Sequence, residues 1–390
     1  MIDPTIALFW LLERPERPSA DLGAVLDAPP VESWSRRLPG PRFPAATHTE
    51  RSRPAVAGER VYLGYASTEG LFVLDRRSGE VLETLESKAA VQAEAVPMLD
   101  GGVLFADTAG YTFRYDAEGE ELWSHFGGAP VTARPTLADG RVFVGSVDDV
   151  LYALDAETGD LAWRYQRPDD PTRHSELTLF GAPSPVVAGD LLLAGFSDGA
   201  TVALDASSGT TTWERRVGEG TYPDLIGTPV VADGDLYVGG FSEPLVSLDL
   251  DTKSVRWRVD AGTADASLVD GERLYHPGSD GRLRAIDRRT GATIWTWDSE
   301  TSGALTTPQV TGAGLLLGSS DGGLYLVDSE SGEATWELER WHLLQGITVA
   351  PVVVDDQILA VTNGGVLLSL VAPHPSATPT TDGDIGPLVP

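Results

Sequence analysis

Apolar and polar residues alternate along this chain in short runs, each closed by a turn signal. Residues 151–163, LYALDAETGDLAW, show the unit. Alternation from Leu151 to Leu154 predicts a strand, Asp155 ends it, Gly159 closes a tight turn, and a second strand carries Trp163. The pattern returns as VALDASSGTTTW at 202–213, RAIDRRTGATIW at 284–295 and YLVDSESGEATW at 325–336. Asp205, Gly209 and Trp213, then Asp287, Gly291 and Trp295, then Asp328, Gly332 and Trp336 hold the three slots in those copies. One unit written many times governs the fold before any single residue does.

Two anchors align the copies: a proline entering an apolar strand, and the aspartate that ends the third strand. The pairs Pro54/Asp75, Pro97/Asp116, Pro135/Asp155, Pro185/Asp205, Pro229/Asp249 and Pro308/Asp328 lie 19 to 21 residues apart. A further copy has Ser267 for the proline and Asp287 in place, and a last one has Pro351 with Leu370 at the aspartate slot. Each copy reads as three or four short strands joined by tight turns, where glycine tolerates positive φ and aspartate bonds nearby backbone amides. Glu83 stands in the tryptophan slot of the first copy. Lys253 replaces the turn glycine of the fifth, which predicts a different turn there.

Repeats of roughly 38 to 50 residues that each supply a four-stranded antiparallel sheet predict an all-β fold, a β-propeller. The last copy has no fourth strand. Residues 31–38, VESWSRRL, form an orphan strand with Trp34 in the tryptophan slot and can supply it from the other end of the chain. Eight blades closed by an N-terminal strand are therefore expected over 31–371, with seven blades and a degenerate end as the alternative. Residues 1–30 read as a short helix near 3–13 and a proline-rich lead-in, and residues 372–390 as a disordered tail.

Composition fits this reading, with 43 glycines, 27 prolines and 10 tryptophans in 390 residues. The formal charge of −30 opposes phosphate backbones, so nucleic-acid binding is not expected. With no cysteine, disulfides, thiolate metal sites and a cysteine nucleophile are excluded. The early apolar run at 6–12 is shorter than the ~20 residues that span a bilayer, and it lacks the basic flank of a secretory signal. His48, His125, His174, His276, His342 and His374 show no metal-ligand spacing. No phosphate-binding glycine loop is present. Asp148-Asp149 and Asp169-Asp170 read as solvated loop charge, with weak calcium binding the sharper alternative.

Two interruptions break the repeat. Residues 166–182, QRPDDPTRHSELTLFGA, join a polar arm to an apolar segment carrying Leu177, Leu179 and Phe180. Residues 218–228, GEGTYPDLIGT, carry Tyr222, Asp224 and Ile226. Both leave the fourth strand of one blade for the first strand of the next, so they should emerge side by side on one rim. Such loops are where interaction residues concentrate.

The repeated ALDAETG-x-x-x-W sentence resembles the repeat named after pyrroloquinoline quinone, found in quinone-dependent dehydrogenases and in many non-catalytic propellers. Its recurrence points to architecture, because a catalytic site needs unique residues. The run SELTLFGAPSPVVAGDLLLAGFSDGATVALDASSGTTTW, with PDLIGTPVVADGDLYVGGF and DASLVDGERLYHPGSDGRLRAIDRRTG, is similar to the BamB family. That resemblance implies an eight-bladed, non-enzymatic periplasmic scaffold at the outer membrane, without a cofactor. Its implied partner is a BamA-like barrel-assembly protein. Carried over by position, Leu177 and Leu179 match the family's Leu-x-Leu-Arg leucines and Asp224 the first residue of its Asp-x-Asp. Phe180 and Ile226 stand where an arginine and a second aspartate are expected, which predicts a more apolar contact. Quinone-dependent dehydrogenation and a generic envelope interaction module are the alternatives.

Overall fold

The computed structural model describes residues 30–38, 50–168, 183–218, 222–338 and 346–371. These form eight four-stranded antiparallel sheets and no helix, arranged as the blades of a propeller. The helix and lead-in expected over 1–30, apart from residue 30, and the tail expected over 372–390 lie outside the described residues. Blade three is Thr136–Ala138, Arg141–Gly145, Val150–Asp155 and Leu161–Gln166, hydrogen-bonded in chain order. First strands of successive blades lie against one another around the axis, and fourth strands form the circumference.

The alternation seen in the sequence sends neighbouring side chains into two different blade interfaces. Val142, Val144, Val150, Tyr152 and Leu154 pack with Leu104 and Trp123 of blade two. Phe143, Leu151 and Ala153 pack with Leu192, Val202 and Leu204 of blade four. The middle strands are covered on both faces, and each such apolar side chain contributes about 1.5–3 kcal/mol.

The ring closes through the N-terminal strand. Val31–Arg37 pairs with Val366–Val371, which continues to Gln357–Thr362 and Val352–Val354. Trp34 lies opposite Ser369, as Trp163 lies opposite Ala153. Register also refines the last copy. Val371 faces Gln357 as Asp155 faces Arg141, so Val371, not Leu370, holds the aspartate position. Leu370 is buried beside Leu316 and Ile358, partly covered by Trp336.

The outer turns tie blade to blade. The Asp155 carboxylate accepts from the Glu157 and Thr158 amides, both at 2.9 Å, and the Gly159 amide returns to the Asp155 carbonyl at 2.9 Å. Asp205, Asp287 and Asp328 hold Ser208, Thr290 and Ser331 in the same way. These bonds, led by the Thr158 amide in Asp155, hold the carboxyls below their ordinary range. Gly159 has φ 74°, and a Cβ there would stand 2.6 Å from the Trp123 ring. Trp163, Trp257 and Trp295 cover Gly209, Gly291 and Gly332 equally closely, and Trp34 covers Gly79. Where Glu83 replaces tryptophan, its carboxylate lies over Gly119 instead.

Lys253 corrects one expectation. Its turn has the same form as the others: φ is 62°, and the Lys253 amide bonds the Asp249 carbonyl at 2.8 Å. The Asp249 carboxylate accepts from the Asp251 and Thr252 amides as in the other turns, and lysine is held in a left-handed conformation that glycine would adopt freely.

Candidate partner-binding rim

The second interruption and Arg167, at the root of the first, both meet one turn of blade four. Residues 196–199 join Leu191–Gly195 to Ala200–Asp205. Pro183, which follows the first interruption, and Leu225 of the second meet at Gly195, where a Cβ would lie 3.5 Å from Pro183 and 2.9 Å from the Leu225 Cβ. Val217 and Gly218 amides bond the Gly199 carbonyl at 2.8 and 3.0 Å, and the Leu225 amide bonds the Phe196 carbonyl at 3.3 Å. At Gly199 a Cβ would come within 2.9 Å of Pro223. Glycine at 195 and 199 is what lets the second interruption lie directly on the blade.

Within that loop Tyr222 is 49% exposed and Leu225 is fully buried as its anchor. Ile226 is half-buried. Asp224 is only 8% exposed, and its carbonyl packs so closely on Gly240 that no side chain fits there. It belongs to the floor of the loop, with Tyr222 on the crest. Leu177, Leu179 and Phe180 lie outside the described residues.

The root of the first interruption carries an ion-pair cluster that the sequence pattern does not reveal. Arg167 follows Leu161–Gln166 directly. Its Nε and Nη2 donate to Asp198 at 2.9 and 2.8 Å, and its Nη1 and Nη2 to Glu214 at 2.7 and 3.0 Å. The guanidinium also stands 5.8 Å from the Phe196 ring centroid, with Tyr165 edge-on to the same ring. Glu214 first, then Asp198, holds the arginine above its ordinary range, and Arg167 holds Glu214 below its own. The Asp149 carboxylate accepts from the Ser197 amide at 3.1 Å and from the Ser197 hydroxyl. It is a blade-to-blade tie, not the solvated charge expected of that loop. One sequence signal is Asp149 standing where four other copies' matching turns carry a left-handed glycine, Gly110, Gly199, Gly281 and Gly365.

Among the described residues no group of three or more His, Asp or Glu is placed to hold a metal ion. No described helix is long and apolar enough to cross a membrane.

Outer membrane protein assembly factor BamB of Yersinia pestis is 26% identical over 332 residues, covering 80% of this chain and 82% of the relative. The Escherichia coli K12 protein of that name is 26% identical over 330 residues, covering 70% and 83%. Among solved structures, BamB from Moraxella catarrhalis superposes with a TM-score of 0.73 at 18% identity, covering 88% of this chain and 99% of that one. A quinohemoprotein alcohol dehydrogenase from Pseudomonas putida superposes at 0.69 with 16% identity, covering 92% and 78%. At such identities the structural likenesses establish the propeller alone. The sequence profile described as outer membrane protein assembly factor BamB matches residues 69–297, more than half of the chain, and the chain belongs to the BamB family.

Proposed function

We propose that this chain is a non-catalytic periplasmic scaffold that binds a BamA-like barrel-assembly protein and assists outer-membrane β-barrel assembly. The observation that carries this reading is the second break in the repeat seated on one turn of blade four, a turn that Arg167 at the root of the first break also holds. A repeated surface offers no unique address, and this rim does. The curated relatives are named outer membrane protein assembly factors, which supports the same role. Tyr222 and the open part of Ile226 supply apolar contact from one loop. Leu177, Leu179 and Phe180 supply it from the other by sequence and resemblance, and Asp224 keeps the Tyr222 loop in place. The quinone-dependent alternative draws on the shared ring alone.

The test is co-purification from envelope extracts of wild type, Tyr222→Ala and the double variant Leu177→Asp/Leu179→Asp. The barrel protein should be recovered with wild type and lost from the double variant. Equal recovery, with circular dichroism showing an intact fold, would overturn the proposal. Titration with pyrroloquinoline quinone and calcium should leave the quinone spectrum unchanged, and saturable binding with dye-linked alcohol oxidation would favour the dehydrogenase reading.

A further inference from the structure

The blades also differ at the axial mouth, where the first strands begin. Two residues before the first paired residue of each first strand, blades one to three carry Arg53, Glu94 and Arg134, and the other five blades carry only serine, threonine or alanine. First strands of successive blades lie against one another, so the three charges form one arc of the mouth. Arg53 is bound into the ring: its Nε and Nη2 donate to the Ala350 and Pro351 carbonyls of blade eight at 3.2 and 3.1 Å. Glu94 spends its two oxygens on the two arginines, at 3.9 Å from Arg53 Nη1 and 3.2 Å from Arg134 Nε. Arg134 keeps its fork open. Its side chain is 39% exposed, and Nη1 and Nη2 donate no hydrogen bond among the described residues. At the next position round the mouth, the Ser184 hydroxyl accepts the Arg134 amide at 3.0 Å and still has its own proton to give.

An apolar wall continues from this polar pair. Leu137 lies three residues after Arg134 and Val187 three after Ser184, at matching register positions of adjacent first strands. Thr136 Oγ1 donates to the Pro185 carbonyl at 2.5 Å and ties those strands together. Leu137 is 38% exposed and Val187 half-buried, each about 10 Å along its strand from the polar pair. We propose that Arg134 and Ser184 bind a single carboxylate at the axial mouth, and that Leu137 and Val187 receive the apolar chain attached to it. The guanidinium fork matches the two oxygens of a carboxylate, and the serine hydroxyl adds a third donor. The ligand class is a monocarboxylate of medium chain length. A ligand with several carboxylates finds no second open cation there, because Arg53 is bonded to blade eight and Glu94 stands between the arginines. The site does not depend on the function proposed above.

Calorimetric titration of the full chain with sodium octanoate tests the site. Octanoate should bind saturably. Neutral octanol, which lacks the carboxylate, and butyrate, which lacks most of the chain, should each bind about tenfold more weakly or worse. Arg134→Gln should weaken octanoate about tenfold or more, and Arg134→Lys less, because it keeps the charge but not the fork. If circular dichroism shows that Arg134→Gln does not fold, Leu137→Ser at its exposed position decides: the gap between octanoate and butyrate should narrow. Absence of saturable octanoate binding in wild type would overturn the proposal, as would octanol binding as tightly as octanoate. Unaltered octanoate affinity in folded Arg134→Gln, or an unaltered gap in Leu137→Ser, would overturn it equally.

Discussion

Trp213 lies over Lys253 with the ammonium 5.7 Å from the indole centroid, and its indole N–H has no acceptor. At the equivalent places Trp163 donates to the Ala206 carbonyl at 3.0 Å and Trp257 to the Arg288 carbonyl at 2.9 Å. The matching carbonyl for Trp213 belongs to Leu250, and the Lys253 ammonium bonds it instead. Trp34 shows the same displacement: Gln357 Nε2 donates to the Arg76 carbonyl at 2.9 Å, and the Trp34 N–H is left without a partner.

Lys253→Gly should therefore stabilise the protein. It relieves the left-handed lysine and frees the Leu250 carbonyl for Trp213, against the loss of a cation–π contact and a looser unfolded chain. The net gain should be about 1 kcal/mol, read as a higher urea midpoint. A lower midpoint would show that the lysine contact outweighs the turn strain.

The tryptophan-on-glycine contact makes each partner sensitive. Gly159→Ala adds a Cβ into the Trp123 ring at a residue with φ 74°, and should cost about 2–4 kcal/mol. Trp34→Ala should cost about the same, because Trp34 packs against Val61, Leu74 and Leu359 across the closure. Its distinct signature is faster amide exchange in Val366–Val371, the strand paired to it.

Ser267→Pro would restore the residue used by most other copies, and should nevertheless destabilise the protein. His276 is fully buried, with Nε2 3.1 Å from the Ala261 carbonyl and Nδ1 2.9 Å from the Ser267 hydroxyl. A carbonyl only accepts, so Nε2 carries the proton and Nδ1 accepts from Ser267. Proline removes that donor, at a cost of about 1–3 kcal/mol in thermal or urea unfolding.

Two buried groups give opposing pH dependence. Burial pushes the Glu50 carboxyl up to about 7 from 4.5, with Oε2 accepting the Ala66 amide and Oε1 unpartnered. The folded state thus holds the extra proton, and Glu50 contributes stability below pH 4.5 that is lost as pH rises to 7. Burial pushes the His276 imidazole down to about 4 from 6.5. Its contribution is present above pH 6.5 and is lost as pH falls to 4. Each term is at most about 3 kcal/mol, and between pH 4.5 and 6.5 they offset one another. Glu50→Gln should expose the histidine term: urea stability should fall as pH drops from 6.5 to 4.5 more steeply than in wild type. Equal pH slopes in the two proteins would contradict this.

Much of the architecture is legible in the sequence for one reason: it is repeated. A strand that alternates, ends on aspartate and turns on glycine states its conformation locally, and eight copies leave few ways to cover both faces of each sheet. Even the closure is readable, because the last copy lacks a strand and the residues around Trp34 supply one. The interrupted stretches are legible as interruptions, and so as the place to look for function. What the local pattern does not contain is who meets whom across a blade boundary. Lys253 in a glycine slot reads as a different turn until the packing of blades four and five shows the turn unchanged. Asp149 reads as loop charge and Arg167 as part of a polar arm until Ser197, Asp198 and Glu214 of the next blade are seen around them. Those partners lie 31 to 48 residues away along the chain, and contacts at that range depend on blade geometry, not on local propensity. The sequence therefore determines the blades and marks the rim, and the tertiary structure decides that Arg167 and the Tyr222 loop share one floor, the turn at 196–199.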